Sequence, residues 1–490
     1  MPAIRWCRGK TAPVAFMALV VVAMLAMTGS AFAMKAPNVN IVTQGEPPPG
    51  PPPANTHYFK TIQAAVNASV KKDWVLIEPG KYAEEVKVTA AQQGIYIRGM
   101  DRNGVILDGE NISTPAGRNG IEVYKANNVW IENLTVRNFD KPSINGPGGN
   151  EIWWNGGAGS NKVGYHGWFG RYLTAYDTGL NGGYGIFTNN EKHGLWENIY
   201  ASGFNDSGIY LGACRECQAR ITKATIEDNA VGYSGSNSGG NLVIEESTFR
   251  HNTTGIAPNS ENPGDGPPPQ NGACLGASEG KKKTPSFSST NVARCMIIRN
   301  NLVTENDNLS VPANSSTAAS PWGVGVIMPG DYGDLVEHNT ITNNPINGVL
   351  GFEYPNPFPP TEQTIFFELA GNKIANNTFS NNGYAEPTSP FAGDITLDGG
   401  LFGKGKSQST NNCVSGNTLA DATFPVKIED GWGCQNTTTP NPEGGYPAVE
   451  YLLGLQATSE GREPVPQPAP LAQTTMPNPC EGVPTNPLCP

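Results

Sequence analysis

Charged side chains are scarce in this chain: Asp, Glu, Lys and Arg together make up 15% of 490 residues, and acids outnumber bases 43 to 32. A surface of that sign disfavours nucleic acid and anionic lipid as partners. Long apolar runs are scarcer still, and beyond residue 33 no stretch could cross a bilayer as a helix. The segment CREC, Cys214 to Cys217, has no second cysteine pair at zinc-site spacing and no histidine after it until His251, which argues against a metal centre there. Oxidation to a structural disulfide is the expectation instead.

Glycine and proline are abundant, at 59 and 42 residues. Both punctuate tight turns and interrupt helices, so the composition points to a turn-rich β protein. Arg5, Arg8 and Lys10 precede an apolar run from about Ala12 to Gly29, and Ala31-Phe32-Ala33 follows as a small-residue cleavage site. This pattern predicts a secretory signal over residues 1–33, an uncleaved anchor being the alternative. Its removal takes away three positive charges and moves the net charge from −11 to −14. The expected protein is secreted or surface-associated, monomeric, and without stable membrane insertion once the signal is gone. Eight of the nine cysteines remain, and export favours disulfides. Cys274 and Cys295 are 21 residues apart, as are Cys413 and Cys434, and both are expected pairs.

The segment EESTFRHNTTGIAPNS, Glu245 to Ser260, is one copy of a repeated phrase. Aligned on one apolar position, the copies place Val136, Ala175, Ala201, Ile226, Phe249, Val303, Ile341, Phe379 and Leu419 in register, at separations built on a period of about 25 residues with insertions. Such a period suits one turn of a parallel β-solenoid, each coil supplying short strands that pair with the coils above and below. An asparagine follows three residues after the aligned position at Asn229, Asn252, Asn306, Asn344 and Asn382. Side-chain amides carry donor and acceptor together, so a stack of them can bond rung to rung. Gly-apolar pairs open the next strand at Gly185-Ile186, Gly208-Ile209, Gly232-Tyr233, Gly255-Ile256 and Gly348-Val349, where glycine is expected to supply a positive φ at the corner. Ahead of the repeats, FKTIQAAVNASV (59–70) has helical spacing at Ile62, Ala65, Val66 and Val70 and is expected to cap the open end of the stack. The expected organisation is a signal at 1–33, a Pro-rich linker at 34–56, a β-helix at 57–440 with an inserted loop at about 258–293, and a poorly ordered Pro-rich tail at 441–490.

With its N-T-I-x-N-N phrases, asparagine run and capping segment, the chain resembles the right-handed parallel β-helix superfamily, the pectate-lyase-like fold, over roughly residues 57–440. The resemblance implies an all-β, right-handed parallel β-helix with an N-terminal capping helix. It implies no single activity, because the superfamily holds lyases, hydrolases, esterases, epimerases, phage tailspikes and non-catalytic surface proteins. TIQAAVNA (61–68) with IEPGKYAEEVKV (77–88) is similar to the start of pectin methylesterases, and NNVWIEN (127–133) to a pectate-lyase strand. Neither brings that family's catalytic residues with it.

The densest chemistry lies in Glu151 to Gly179. Aromatic platforms beside charged donors suit a glycan groove, since sugar rings offer apolar C–H faces and hydroxyl rims. Trp153, Trp154, Tyr165, Trp168 and Tyr176 are the candidate substrate-binding residues. For a lyase or epimerase acting on a uronic-acid polymer, His166 or Tyr172 is the candidate base and Arg171 the cation, with Asp177 beside them. The bland alternative pairs Arg171 with Asp177 and lets the aromatics fill a loop. For a glycoside hydrolase, two of Asp177, Glu191, Glu197, Asp206 and Glu216 would flank the bond. A non-catalytic wall-associated or adhesive scaffold is the rival class. His193, His251 and His338 fall at turn positions of the repeat. No cofactor is expected, calcium on Asp394 and Asp398 being the one option. The expected partner is an extracellular polysaccharide.

Overall fold

The computed structural model describes residues 36–490, except 113, 115–116, 142–147, 158–163, 215–216, 261–294, 312–319, 356–365, 368, 399–411, 435–453 and 456–464. The signal segment and Cys274, with its expected pairing to Cys295, lie outside the described residues. Among the described residues no helix is long and apolar enough to cross a membrane.

Each coil contributes three short strands in a fixed order, here called faces 1, 2 and 3. Face 1 is an 11-stranded sheet running from Val86–Val88 through Asn119–Tyr124, Asn150–Asn155, Tyr184–Asn189 and Ser207–Gly212 to Thr423–Phe424. Faces 2 and 3 belong to a 21-stranded sheet that bends at one residue per coil. That residue is left-handed, as at Asn133, Tyr172, Asn198, Lys223, Glu246, Asn300, His338 and Asn376, with φ from 51° to 56°. A single left-handed residue turns the chain sharply while leaving both flanking strands free to pair.

The aligned positions form one inward row on face 3. Val136 pairs with Ala175, Ala175 with Ala201, and so on through Ile226, Phe249, Val303 and Ile341 to Phe379 without a slip. All eight are essentially solvent-free, and the ninth, Leu419, packs against the same core. The inserted loop does not disturb this: Leu242 pairs with Met296 and Phe249 with Val303 across it.

The asparagine stack is continuous. Asn229 Nδ2 donates to Asn252 Oδ1 at 3.0 Å, Asn252 to Asn306 at 3.2 Å, Asn306 to Asn344 at 2.9 Å and Asn344 to Asn382 at 3.0 Å. It stands at the corner between faces 3 and 1, and a second stack stands at the corner between faces 2 and 3. There Asn301, Asn339, Asn377 and Asn417 are linked by three bonds of 3.0 Å. The N-T-I-x-N-N phrase therefore carries a rung of each stack.

The opening glycines of face 1 correct one expectation. Gly185, Gly208, Gly232, Gly255 and Gly348 do not have positive φ. They are small because another group fills the space: a Cβ would lie 2.6 Å from Asn229 Nδ2 at Gly208, and 2.9 Å from Asn252 Nδ2 at Gly232 and from Asn306 Nδ2 at Gly255. At Gly185 the Phe204 ring takes the same place. Where the glycine is missing, a carboxylate replaces the amide: Glu151 accepts from the Phe139 amide, and Asp394 accepts from Asn382 Nδ2.

The N-terminal boundary of the solenoid shifts outward, to Val39, while its last strand among the described residues is Thr423–Phe424, short of residue 440. Val39–Val42, expected to be linker, is a buried strand parallel to Thr56–Phe59 and Trp74–Ile77. The helix is shorter than its spacing predicts, Ile62–Ala68, capped by Thr61, with Ile62, Ala65 and Val66 buried and Val70 exposed beyond its end. Residues 465–490 are not a loose tail. Arg98 Nη1 donates to the carbonyls of Pro479 and Glu481, Arg102 to that of Thr474, and Met476 and Cys489 are buried against the first coils. A Cys480–Cys489 disulfide closes this segment, and Cys413–Cys434 forms as expected, with Cα atoms 4.6 Å apart.

Candidate functional site

On face 1 the residue after each Gly-apolar pair points outward. Trp153 pairs in register with Phe187, and Phe187 with Tyr210. The Trp153 and Phe187 rings stack with centroids 5.0 Å apart and planes 7° from parallel. Tyr210 meets Phe187 edge-on at 4.9 Å, and Tyr184 stacks on Phe187 at 4.6 Å. These four side chains are half-exposed. Rings held at the coil spacing form a stiff apolar strip that costs little entropy to present.

Polar groups border the strip. The second outward row carries Tyr124, Asn155 and Asn189 in register. Asn189 Oδ1 accepts from Trp153 Nε1 at 2.9 Å, which fixes the indole, and Asn155 Nδ2 donates to Glu122 at 2.8 Å. Lys87 and Lys125 lie 4.9 and 5.0 Å from the Tyr124 ring centroid, and Lys87 also pairs with Glu122 at 3.0 Å. At the other border Lys141 Nζ lies over Gly183, and burial pulls its pKa down while Asp206 opposes that shift. Set against Glu122 and Asp206, the three lysines Lys87, Lys125 and Lys141 leave the borders of the strip with one positive charge in excess.

Of the binding residues expected from the sequence, Trp153 stands on this strip. Trp154 and Trp168 do not: both are fully buried, Trp154 6.2 Å and Trp168 4.8 Å from Trp196, so they fill the core and offer no face to a ligand. Tyr176 is buried on face 3 under a hydrogen bond from Arg137, and Tyr165 pairs with Glu191 at the corner between faces 1 and 2.

The base–cation set is not brought together. His166 is exposed at that same corner, 6.4 Å from the His193 ring. Arg171 is on face 2, where it pairs with Glu132 at 2.6 Å rather than with Asp177. Tyr172 is the left-handed bend residue. Asp177 is buried at the corner between faces 3 and 1, accepting the amides of Gly179 and Gly182. These groups project from different sides of the solenoid because an excursion of nine strand residues, Trp168–Tyr176, wraps around two faces.

The carboxylates are also dispersed. Glu197 pairs with Lys223 on face 2 at 3.0 Å, Glu191 is buried at the face 1–2 corner with its pKa raised by desolvation, and Asp206 lies at the face 3–1 corner. Glu216 lies outside the described residues. His193, His251 and His338 sit at left-handed turn positions, with φ of 59°, 51° and 56°. Cys214 and Cys217 are joined and buried. Among the described residues no three His, Cys, Asp or Glu side chains converge as metal ligands would, and both carboxylate oxygens of Asp394 accept from Asn382, Ala420 and Asp421.

Phe187, Tyr210, Tyr184, Tyr124, Asn155 and Asn189 are not among the residues expected from the sequence, because the row is spread over several coils and not concentrated in one dense excursion. Their signal was present in the repeat: Ile152-Trp153, Ile186-Phe187 and Ile209-Tyr210 each put an aromatic one residue past an inward apolar position.

Residues 75–263 match the family model described as right handed beta helix region. No curated protein sequence matches the chain. Similar solved structures include the A-module of a mannuronan C-5 epimerase from Azotobacter vinelandii, at 14% identity over 74% of this chain and 91% of that one, with a TM-score of 0.43. The Dettilon tailspike protein aligns at 14% identity over 74% and 64% of the two chains, TM-score 0.39, and an alginate lyase from Paenibacillus sp. at 14% over 74% and 93%, TM-score 0.35. With three parallel faces stacked coil on coil from Val39 to Phe424 and this matched region within them, the chain is a right-handed parallel β-helix repeat protein.

Proposed function

We propose that this protein is secreted and holds an extracellular polysaccharide lengthwise on face 1. The observation that carries this reading is the outward row Trp153–Phe187–Tyr210, whose rings repeat coil by coil with centroids 5.0 and 4.9 Å apart. Sugar rings pack their apolar C–H surfaces against the outer side of such an aromatic strip, while the amides and lysines along the border meet hydroxyl and acidic substituents. A linear polymer matches a linear row, with successive sugars on successive coils. The lysines also answer the electrostatic objection to an acidic protein binding an acidic glycan, since the local field decides the encounter.

Recognition is the function this geometry supports. The base and cation required for β-elimination or epimerisation stand on different faces, so no chemistry is assigned to His166, Arg171 or Asp177. The test is retardation in native gels cast with a panel of neutral and uronate polysaccharides. At least one polymer should retard the protein, and Trp153→Ala should lose that retardation while melting as a folded protein. Retardation by none of the panel, or equal retardation of the variant, would remove face 1 as the binding surface.

A further inference from the structure

Face 2 carries its own outward row. Trp130 pairs with Phe169, Phe169 with Leu195, Leu195 with Arg220 and Arg220 with Val243. The Trp130 and Phe169 rings stack at 4.1 Å, with the Arg171 guanidinium 5.3 Å from the Trp130 centroid. Where the row passes from Leu195 to Arg220 it opens into a cavity of about 420 Å³, lined among others by Gly194, Gln218, Arg220, Val243, Glu245 and Arg299. That is within the size range of sites for small organic ligands.

The wall at Gly194 is bare for a steric reason. A Cβ there would point into the core and lie 1.9 Å from the Trp168 ring, so Gly194 presents only its backbone to the cavity. Val243, 4% exposed, gives an apolar floor. Glu245 is nearly buried and binds both Arg220 and Arg299. Two guanidiniums thus share one carboxylate in the lining. Arg220 is the more accessible, with its side chain 54% exposed, and its planar fork holds more N–H donors than Glu245 can accept. Gln218 is exposed beside it, with an amide that both donates and accepts.

We propose that this pocket is a second carbohydrate site, independent of face 1, that takes a sugar bearing a carboxylate. The carboxylate lies on the Arg220 guanidinium, the hydroxyls meet the Gln218 amide, and the ring's apolar side rests on Val243. A monoanion suits the lining, whose cations exceed its carboxylates by one; a phosphate dianion would face Glu245. Sugars linked to the bound one extend over Leu195 toward Phe169 and Trp130, along the same row.

The test is calorimetric titration of the full chain with D-glucuronate, D-glucose and inorganic phosphate. Glucuronate should bind saturably and glucose at least about tenfold more weakly, the difference one charge-assisted contact makes. Arg220→Gln should weaken glucuronate by a similar factor without loss of fold, since Arg299 still holds Glu245. Gln218→Ala, which uncovers no buried group, should weaken it less. Absence of saturable glucuronate binding, or an Arg220→Gln protein that binds it as the parent does, would overturn the site. Phosphate binding more tightly than glucuronate with the same dependence on Arg220 would overturn the ligand class.

Discussion

Asn252 Nδ2 donates to Asn306 Oδ1 at 3.2 Å although 54 positions separate the two residues. The long insertion between them leaves the rung intact, so the stack, not the spacing along the chain, sets the register of the coils. Asn306 also donates its backbone amide to Asn344 Oδ1 at 3.3 Å and accepts the backbone amide of Asn252 at 3.4 Å.

Replacing that rung should therefore be costly. Asn306→Ala strands the buried Asn252 backbone amide, at about 1–3 kcal/mol when left unpaired, and removes the two side-chain bonds that link Asn306 to Asn252 and Asn344. Urea unfolding should show a loss of several kcal/mol, and a loss under about 1 kcal/mol would mean that the stack contributes little beyond packing.

The space around each glycine separates two substitutions that look alike in sequence. At Gly255 a Cβ would lie 2.5 Å from the Gly325 carbonyl oxygen and 2.9 Å from Asn306 Nδ2, whereas at Gly45 its nearest neighbour is 3.6 Å away. Neither has positive φ. Gly255→Ala should lose about 1–3 kcal/mol through overpacking. Gly45→Ala should be neutral or slightly stabilising, because it narrows the unfolded ensemble. Equal effects at the two positions would refute the steric reading.

Adjacent aromatics in the excursion should behave as opposites. Trp168 is fully buried beside Trp196, so Trp168→Ala should cost about 3–5 kcal/mol. Trp153 lies partly exposed on the outer row, so Trp153→Ala should cost less than Trp168→Ala, with the lost stacking on Phe187 accounting for about 0.5–1.5 kcal/mol of it. Thermal melts of the two variants decide between these roles.

A pH dependence follows from the corner between faces 3 and 1. Asp140 has its pKa raised from 3.8 to about 7, chiefly by burial and next by the Asp177 carboxylate, with Asn181 and Arg118 opposing. Burial raises Asp177 and Glu151 in the same direction. The folded state therefore holds protons that the unfolded chain has released. Their contribution is present in full below the unfolded value and is lost as pH climbs through the folded one. Stability should fall between pH 3.8 and about 7, and Asp140→Asn should flatten that part of the profile. An unchanged slope in the variant would exclude Asp140 as its source.

The register was legible because one apolar residue per coil must point inward, and Val136 through Phe379 obey that demand whatever lies between them. The Asn229 stack was legible for the same reason, its amides being fixed three residues along. The second stack was hidden in plain phrases: Asn339 and Asn377 precede Thr as an ordinary turn residue would, and only burial distinguishes them. The candidate site was harder. Trp153 and Trp154 are neighbours, and alternation sends one to solvent and one to the core, a choice fixed by the Glu151-Ile152 start and not by aromatic content. Arg171 looked available for chemistry because its partner, Glu132, is 39 residues away and becomes adjacent only when the coils stack. The C-terminal segment read as a loose tail because its composition is Pro-rich, and nothing local reveals that Arg98 gathers the Pro479 and Glu481 carbonyls.

The most direct test of a glycan on face 1 is a crystal structure with an oligosaccharide of whichever polymer retards the protein. Successive sugars should lie along the strip formed by Trp153, Phe187 and Tyr210, in contact with all three side chains. Sugar bound elsewhere on the solenoid, with these three rings bare, would contradict the account.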